Sequence, residues 1–294
     1  VRQNALHLHR LKALQGLLWL LALLAGADQG KQYADVAVFV WCGIFAFGVQ
    51  WLLFIHAWLA HTEKFFDLAG SLTYMTVFIA AVLLSAAYDP RSLIIAAAII
   101  VWALRLGPFL YFRIKKAGGD RRFHSIRNSF PTFFMTWTLQ GSWVYLTSCA
   151  ALAAVTSSRT AELDVLFFVG LGIWLFGFAI EVVADRQKTA FRAEPENAQR
   201  FIQSGLWAWS RHPNYFGEIV LWAGIAVMAY PALAGWQILT LFAPLWVLLQ
   251  MTAISGTRML EARANKTWGH DPDYQAYKKA TPLLMLWPPR RPTA

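Results

Sequence analysis

The chain has 294 residues, 57% of them hydrophobic and only 14% charged, with 15 Trp and 21 Phe. Several apolar runs are long enough to cross a bilayer, which excludes an ordinary soluble domain. The net charge of +10 invites a nucleic-acid partner. The basic residues fall between the apolar runs, however, as the cytoplasmic bias of Lys and Arg requires, so no nucleic acid is expected. Cys42 and Cys149 both lie inside expected spans, with neither a disulfide framework nor metal-ligand spacing, and no metal is expected.

Residues 1–12 are basic, and Leu11–Ala27 form the first apolar run. Together they resemble a secretory signal peptide, with Ala25-Gly26-Ala27 as a small-residue cleavage pattern, but we expect an uncleaved first helix. Further spans are expected near 36–60, 68–88, 92–112, 131–155 and 163–183. The stretch 217–254 is too long for one span; Tyr230-Pro231 and Gly235 predict a hairpin that gives a short seventh helix and an eighth. The fold class is all-α: a polytopic transmembrane helix bundle of seven to eight spans. No Rossmann domain is expected, since Gly118-Gly119 follows no strand. With both termini in the cytoplasm, 22 of the 26 Lys and Arg residues fall on that side. Lys31, Arg91 and Arg159 fall opposite, and Arg105 sits within a span.

At the start of the third span, Glu63 and Asp67 are four residues apart, with Tyr74 two turns on. A carboxyl group in an apolar pocket favours its neutral form and can donate to a carbonyl, as can a tyrosine hydroxyl. The plainer readings are an N-cap for Asp67 and packing for Tyr74. Arg105 follows about a dozen apolar residues and must find a carboxylate, a phosphate or water. Arg113 lies two turns later on a similar face, so both can address one pocket. Glu181 and Asp185 end the sixth span ahead of Arg186, Lys188 and Arg192, where an intrahelical charge network is the alternative.

The segment SGLWAWSRHPNYFGE (204–218) concentrates polar chemistry between two apolar regions: Arg211, His212, Asn214, Tyr215 and Glu218. Pro213 biases His212 away from helical geometry, and Asn214 is expected to N-cap the next helix. Arg258, Glu261 and Arg263 follow the last span. Asp273-Tyr274 and Tyr277-Lys278-Lys279 form an amphipathic patch that either holds an adenine ring and a phosphate or docks the tail on the membrane surface. The loops 113–128 and 184–216 and the tail make a basic mouth suited to a phosphate-rich cofactor, or to anionic lipid headgroups.

SRHPNYFGE, preceded by Gly205-Leu206-Trp207 and followed by WGHDPDYQAYKK, resembles the membrane-embedded steroid 5-alpha-reductase superfamily. The closer similarity is to its bacterial branch, long labelled a family of unknown function, to which DLAGSLTY and DRRF also correspond. The likeness covers a domain at 36–294, leaving 1–35 as an N-terminal basic segment and extra transmembrane helix. It implies an α-helical membrane bundle that binds NADPH from the cytosol and reduces the conjugated C=C bond of a 3-oxo-Δ4 steroid. By resemblance, Asn214 and Glu218 match the NxxGE segment lining the cofactor site. Asp185, Arg192, Arg105 and Arg258 match cofactor-side charged residues, while Tyr274 and Tyr277 fall in the family's tail. Animal enzymes use a glutamate and a tyrosine on the steroid ketone. Here the tyrosine position falls near Trp102, whose indole is a weak donor, so either Tyr74 substitutes or steroid is not the natural substrate.

The resemblance thus implies hydride transfer from NADPH to the β-carbon of an enone while a donor polarises the carbonyl. The substrate is expected to be apolar, steroid-like or terpenoid, and to enter from the bilayer. Membrane lipids are the other partners, the protein is expected to be a monomer, and a bacterial inner membrane is its expected location. RHPxYxG also occurs in S-adenosylmethionine-dependent membrane methyltransferases, the main alternative, although that cofactor carries no phosphate for the basic loop. A non-catalytic lipid binder or transporter is the third reading, and no internal symmetry supports it.

Overall fold

The structure is a computed structural model and describes residues 16–120, 123–254 and 256–288. Those residues are mostly helical, with a two-residue antiparallel hairpin (Gln32–Tyr33 with Val36–Ala37) and no nucleotide-binding sheet among them. The helices are α1 (Gly16–Ala27), α2 (Val38–Leu59), α3 (Phe66–Leu84), α4 (Pro90–Lys116), α5 (Phe130–Thr156), α6 (Val165–Ala193), α7 (Pro213–Ala229), α8 (Ala243–Leu249), α9 (Thr257–Trp268) and α10 (Pro272–Ala280).

Six segments among the described residues are long and apolar enough to cross a membrane: α2, α3, α4, α6, Pro213–Ala232 and Gly235–Trp268. The chain is therefore an integral membrane protein. The hairpin expected inside 217–254 is present, turning through Tyr230–Ala232 before the apolar segment resumes at Gly235. Its second arm is not one regular helix, for it passes from a 3-10 stretch (Gly235–Phe242) through α8 to a π turn (Gln250–Ile254). Helix α3 stops at Leu84, short of the expected end at 88, whereas α4 and α6 outrun theirs. Helix α4 begins on an Asp89 N-cap accepting from Ser92 N at 3.0 Å, with Pro90 at the first helical position. Its extra turn carries Arg113, Lys115 and Lys116, cations that suit a helix C-terminus.

Contacts divide the described chain into two compact units: one reaching Phe168 and including Ala226–Ala243, the other comprising Val169–Ile225 and the chain from Pro244. In the first, α5 is the central element, and every residue from Val144 to Thr156 is buried. Two of its buried hydroxyls turn back onto the helix. Ser148 donates to Val144 O at 2.6 Å and Thr156 to Leu152 O at 2.8 Å. Trp19 of α1 stacks on Tyr145 at 4.5 Å and donates to Ser142 Oγ at 2.6 Å.

Arg91, expected in an outer loop, is 1% exposed. Its guanidinium donates to Met228 O at 2.6 Å, Ala161 O at 3.2 Å, Asp164 Oδ1 at 2.9 Å and Glu162 O. The cation also lies over the Phe167 ring at 5.2 Å.

Candidate functional site

In the second unit, the placement of side chains starts from glycine. A Cβ on Gly177 of α6 would lie 2.6 Å from Gly217 O, and one on Gly217 would lie 2.6 Å from Gly177 O and 2.7 Å from Glu181 N. Two turns on, a Cβ on Gly224 would meet Gly170 O at 2.6 Å. Small residues thus let α6 and α7 touch backbone to backbone, as membrane helices do without a hydrophobic driving force. This seam brings the end of α6 beside the start of α7. Glu181, Asp185 and Glu218 are all buried along it, and Asn214 Nδ2 donates to Asp185 Oδ1 at 3.2 Å.

The expected N-cap at Asn214 is corrected by this geometry. Helix α7 starts at Pro213, which needs no amide hydrogen at the first helical position, so Asn214 lies inside the first turn and its amide is released for Asp185.

A second cluster surrounds Glu261 of α9. Its carboxylate accepts from His212 Nε2 at 2.9 Å and from Arg211 Nη1, with Lys278 Nζ at 4.0 Å. Burial pushes the His212 imidazole below its usual value, the Glu261 hydrogen bond pulling the other way. At pH 7 the ring is neutral and gives its Nε2 proton to the carboxylate, which can only accept. Tyr215 stacks on the imidazole at 5.8 Å. Among the described residues, Arg211 Nε is buried and has no hydrogen-bond partner, leaving a charged donor for an anionic or carbonyl group.

Main-chain bonds hold this cluster in place. Arg211 N donates to Pro282 O at 2.9 Å, Ser210 Oγ to Leu284 O at 2.8 Å and Trp287 N to Trp209 O at 3.1 Å. Gly205, at φ 61°, turns the chain so that Trp207 buries and donates to Ala184 O at 3.0 Å. Tyr274 and Tyr277 pack in an aromatic cluster with Phe201 and Trp268, and Tyr277 Oη donates to Trp207 O at 2.7 Å. Burial raises the Tyr277 phenol. Arg192 donates to Asn197 O at 3.2 Å and Ala198 O at 3.1 Å, and Arg258 is exposed on α9.

The remaining candidates belong to the first unit. Glu63 is buried and committed: Oε2 accepts from Arg127 Nη1 at 3.0 Å and Oε1 from Asp120 N at 3.2 Å. Asp67 lies in the first turn of α3, whose N-cap position is Phe65, so it does not cap the helix. Tyr74 is 3% exposed and meets Trp102 edge to face at 5.1 Å. Arg105 and Arg113 flank one ring, that of Phe109, at 5.1 and 5.7 Å, as their two-turn spacing predicts. Glu261, which joins Arg211 and His212, is not marked by any local signal. The sequence places it after the last span with no hint of its partners, because it meets His212 only through the fold. No group of three or more His, Cys, Asp or Glu among the described residues is arranged to hold a metal ion.

A family model described as "Protein of unknown function (DUF1295)" matches residues 52–281. The chain belongs to this family. This DUF1295 chain is also distantly homologous to steroid 5-alpha-reductases. It is 27% identical to rat 3-oxo-5-alpha-steroid 4-dehydrogenase 1 over 119 residues, 40% of each chain. Against the human protein of that name it is 32% identical over 88 residues, 29% of this chain and 31% of the relative. Against steroid 5-alpha-reductase DET2 of Gossypium hirsutum it is 34% identical over 64 residues, 22% and 25% of the two chains. The DUF1295 chain thus covers two fifths of the rat relative's length and less of the other two. No solved structure matches it.

Proposed function

We propose that this DUF1295 chain is a membrane-embedded reductase that uses NADPH to reduce the conjugated C=C bond of a 3-oxo-Δ4 steroid or a comparable apolar enone, such as a terpenoid. The observation that carries this reading is the treatment of SRHPNYFGE. Its polar side chains are fixed by acidic partners on other helices, Arg211 and His212 by Glu261 and Asn214 by Asp185. A segment serving only to cap a helix or touch lipid would need none of this. The homology to steroid 5-alpha-reductases supplies the reaction class.

The residues present fit such a cofactor. Arg211 keeps a buried donor, Asn214 is held by its amide, and the carboxylates of the seam offer acceptors for hydroxyl groups. We assign Arg211, His212, Asn214, Tyr215, Glu218 and Asp185 to cofactor binding. Arg105, Arg113, Arg192 and Arg258 are assigned to phosphate, and Tyr274 and Tyr277 to holding the tail that frames the cluster. NADPH, when bound, supplies the hydride. On the substrate, Tyr74 with Asp67 holds a proton at the carbonyl oxygen, so that enolate charge develops against a hydrogen-bond donor in a dry site. Tyr74 meets the Trp102 ring, which supports its standing in for the tyrosine that the resemblance expects there. Glu63, already accepting from Arg127 and Asp120, positions the 113–128 loop.

Helix α5 has 27 residues, about 40 Å at 1.5 Å each, and counts as a seventh span, with α1 the eighth. Both termini then face the cytoplasm of a bacterial inner membrane.

NADPH titration of the purified protein, followed by nucleotide fluorescence, tests the assignment. Asn214→Ala and Glu218→Ala are expected to lose binding while keeping the wild-type elution profile. Unchanged affinity in both variants would refute the cofactor site.

A further inference from the structure

Where α2 leaves the apolar core for its loop and α5 enters it, the first unit carries an open groove of about 330 Å³. That volume falls in the range of small-molecule sites. Its wall is apolar: five aromatic rings, among them Trp51, Phe54 and Trp58, with Ile55 and Leu59. The wall is also preformed. Phe54, 4% exposed, is its floor, held edge-on by Phe130 at 5.4 Å, Phe133 at 5.5 Å and Phe134 at 5.2 Å. Trp58 stands perpendicular to Phe130 at 5.1 Å, and the Trp51 indole donates to Thr138 Oγ1 at 3.1 Å.

The loop end of the groove is basic. His61 lies 5.8 Å from the Trp58 ring, Lys64 is exposed, and Arg127 precedes Phe130 by three residues. Buried Glu63 accepts from Arg127 at 3.0 Å, which ties the half-exposed guanidinium to the loop that follows α2. An aromatic wall ending in cations at the edge of the apolar core is the arrangement that recognises a chain with an anionic head.

We propose that this groove binds an anionic phospholipid, one acyl chain against the Trp51–Phe54–Trp58 wall and the headgroup phosphate at His61, Lys64 and Arg127. A free phosphate would leave the wall unused, and a zwitterionic lipid would set its own cation against the rim. The site is separate from the residues assigned to cofactor and carbonyl, apart from Glu63, so it stands or falls independently of the reductase reading.

The test is native mass spectrometry of the delipidated full chain in detergent, titrated with phosphatidylglycerol or with phosphatidylcholine of the same acyl chains. Wild type is expected to bind phosphatidylglycerol at least about fivefold more tightly, the effect of one basic residue near a headgroup. Ile55→Trp fills the groove and is expected to abolish this binding. Leu52→Trp, at a residue of α2 that is 69% exposed and outside the groove, is expected to keep it. Lys64→Gln, on the exposed rim, is expected to cut the preference about fivefold without touching the wall. Equal binding of the two lipids by wild type would overturn the proposal. So would wild-type phosphatidylglycerol binding by Ile55→Trp, or displacement of the bound lipid by an equal concentration of a neutral steroid enone.

Discussion

Glu261→Gln removes one negative charge and changes almost nothing in shape. In the native protein that carboxylate accepts from Arg211, whose side chain is 13% exposed, and from His212, whose side chain is 8% exposed. A glutamine carbonyl can accept from one of them, and its amide then faces the other, a donor set against a donor. The Arg211 charge is left without its counterion. A contact pair of this kind is worth about 4 kcal/mol at an effective dielectric of 20. Glu261 keeps 17% of its side chain exposed, so solvent recovers part of this, and a loss of about 2–3 kcal/mol is expected. At roughly 2–4 °C per kcal/mol, the unfolding midpoint in detergent should fall by about 4–12 °C. The assay is thermal unfolding followed by size-exclusion elution, with Glu194→Gln, at an exposed loop residue, as the control. A midpoint equal to that of the control would refute the role given to Glu261.

His212 supplies the pH test. Its pKa is depressed in the folded state, so its contribution to stability is complete above the unfolded value of 6.5 and is lost as pH falls through the folded value. The midpoint should drop as acidification passes through that window, and more steeply in Glu261→Gln, where the group pulling the pKa back up is gone; a profile unchanged by His212→Gln would contradict this. Arg91→Ala should cost about 3–5 kcal/mol in thermal unfolding, because Met228 O, on a fully buried residue, loses its 2.6 Å donor and Asp164 loses its ion pair. Loss comparable to a surface substitution would show that the guanidinium is dispensable. Gly217→Ala must push a Cβ off Gly177 O at 2.6 Å, so it should lower the midpoint and weaken NADPH binding together, through the displaced Asn214–Asp185 contact. Tyr74→Phe should lower the enone reduction rate by about 10²–10³ with NADPH affinity unchanged; a full rate would remove Tyr74 from the chemistry.

Much of the membrane architecture could be read from local signals. Tyr230-Pro231 and Gly235 marked the hairpin because proline and glycine act on their own backbone. Arg105 and Arg113 share the Phe109 ring because two helical turns fix their phase. Helix α5 runs Phe130–Thr156, where a span is expected at 131–155. Its Ser, Thr and Trp residues dilute its hydropathy, and in place Ser148 and Thr156 bond to its own carbonyls.

What stayed hidden in the sequence depends on tertiary partners. Glu261 meets His212 across 49 residues. Arg91 could not be assigned because three of its acceptors are main-chain carbonyls, which leave no trace in side-chain identity. Helix α7 starts two residues before the position that an Asn214 N-cap implies, because proline fits the first helical position as readily as it ends a loop. Glu63, expected as a candidate donor to a carbonyl, instead accepts through its two oxygens from Arg127 and Asp120.

The most direct test of the proposed activity is reduction with NADPH carrying deuterium at the transferable nicotinamide C4 position, against a panel of 3-oxo-Δ4 steroids and terpenoid enones. The account predicts a product with one deuterium on the former β-carbon of the enone and stoichiometric NADPH oxidation. No NADPH oxidation with any enone, combined with tight binding of S-adenosylmethionine and methyl transfer to a lipid, would contradict it.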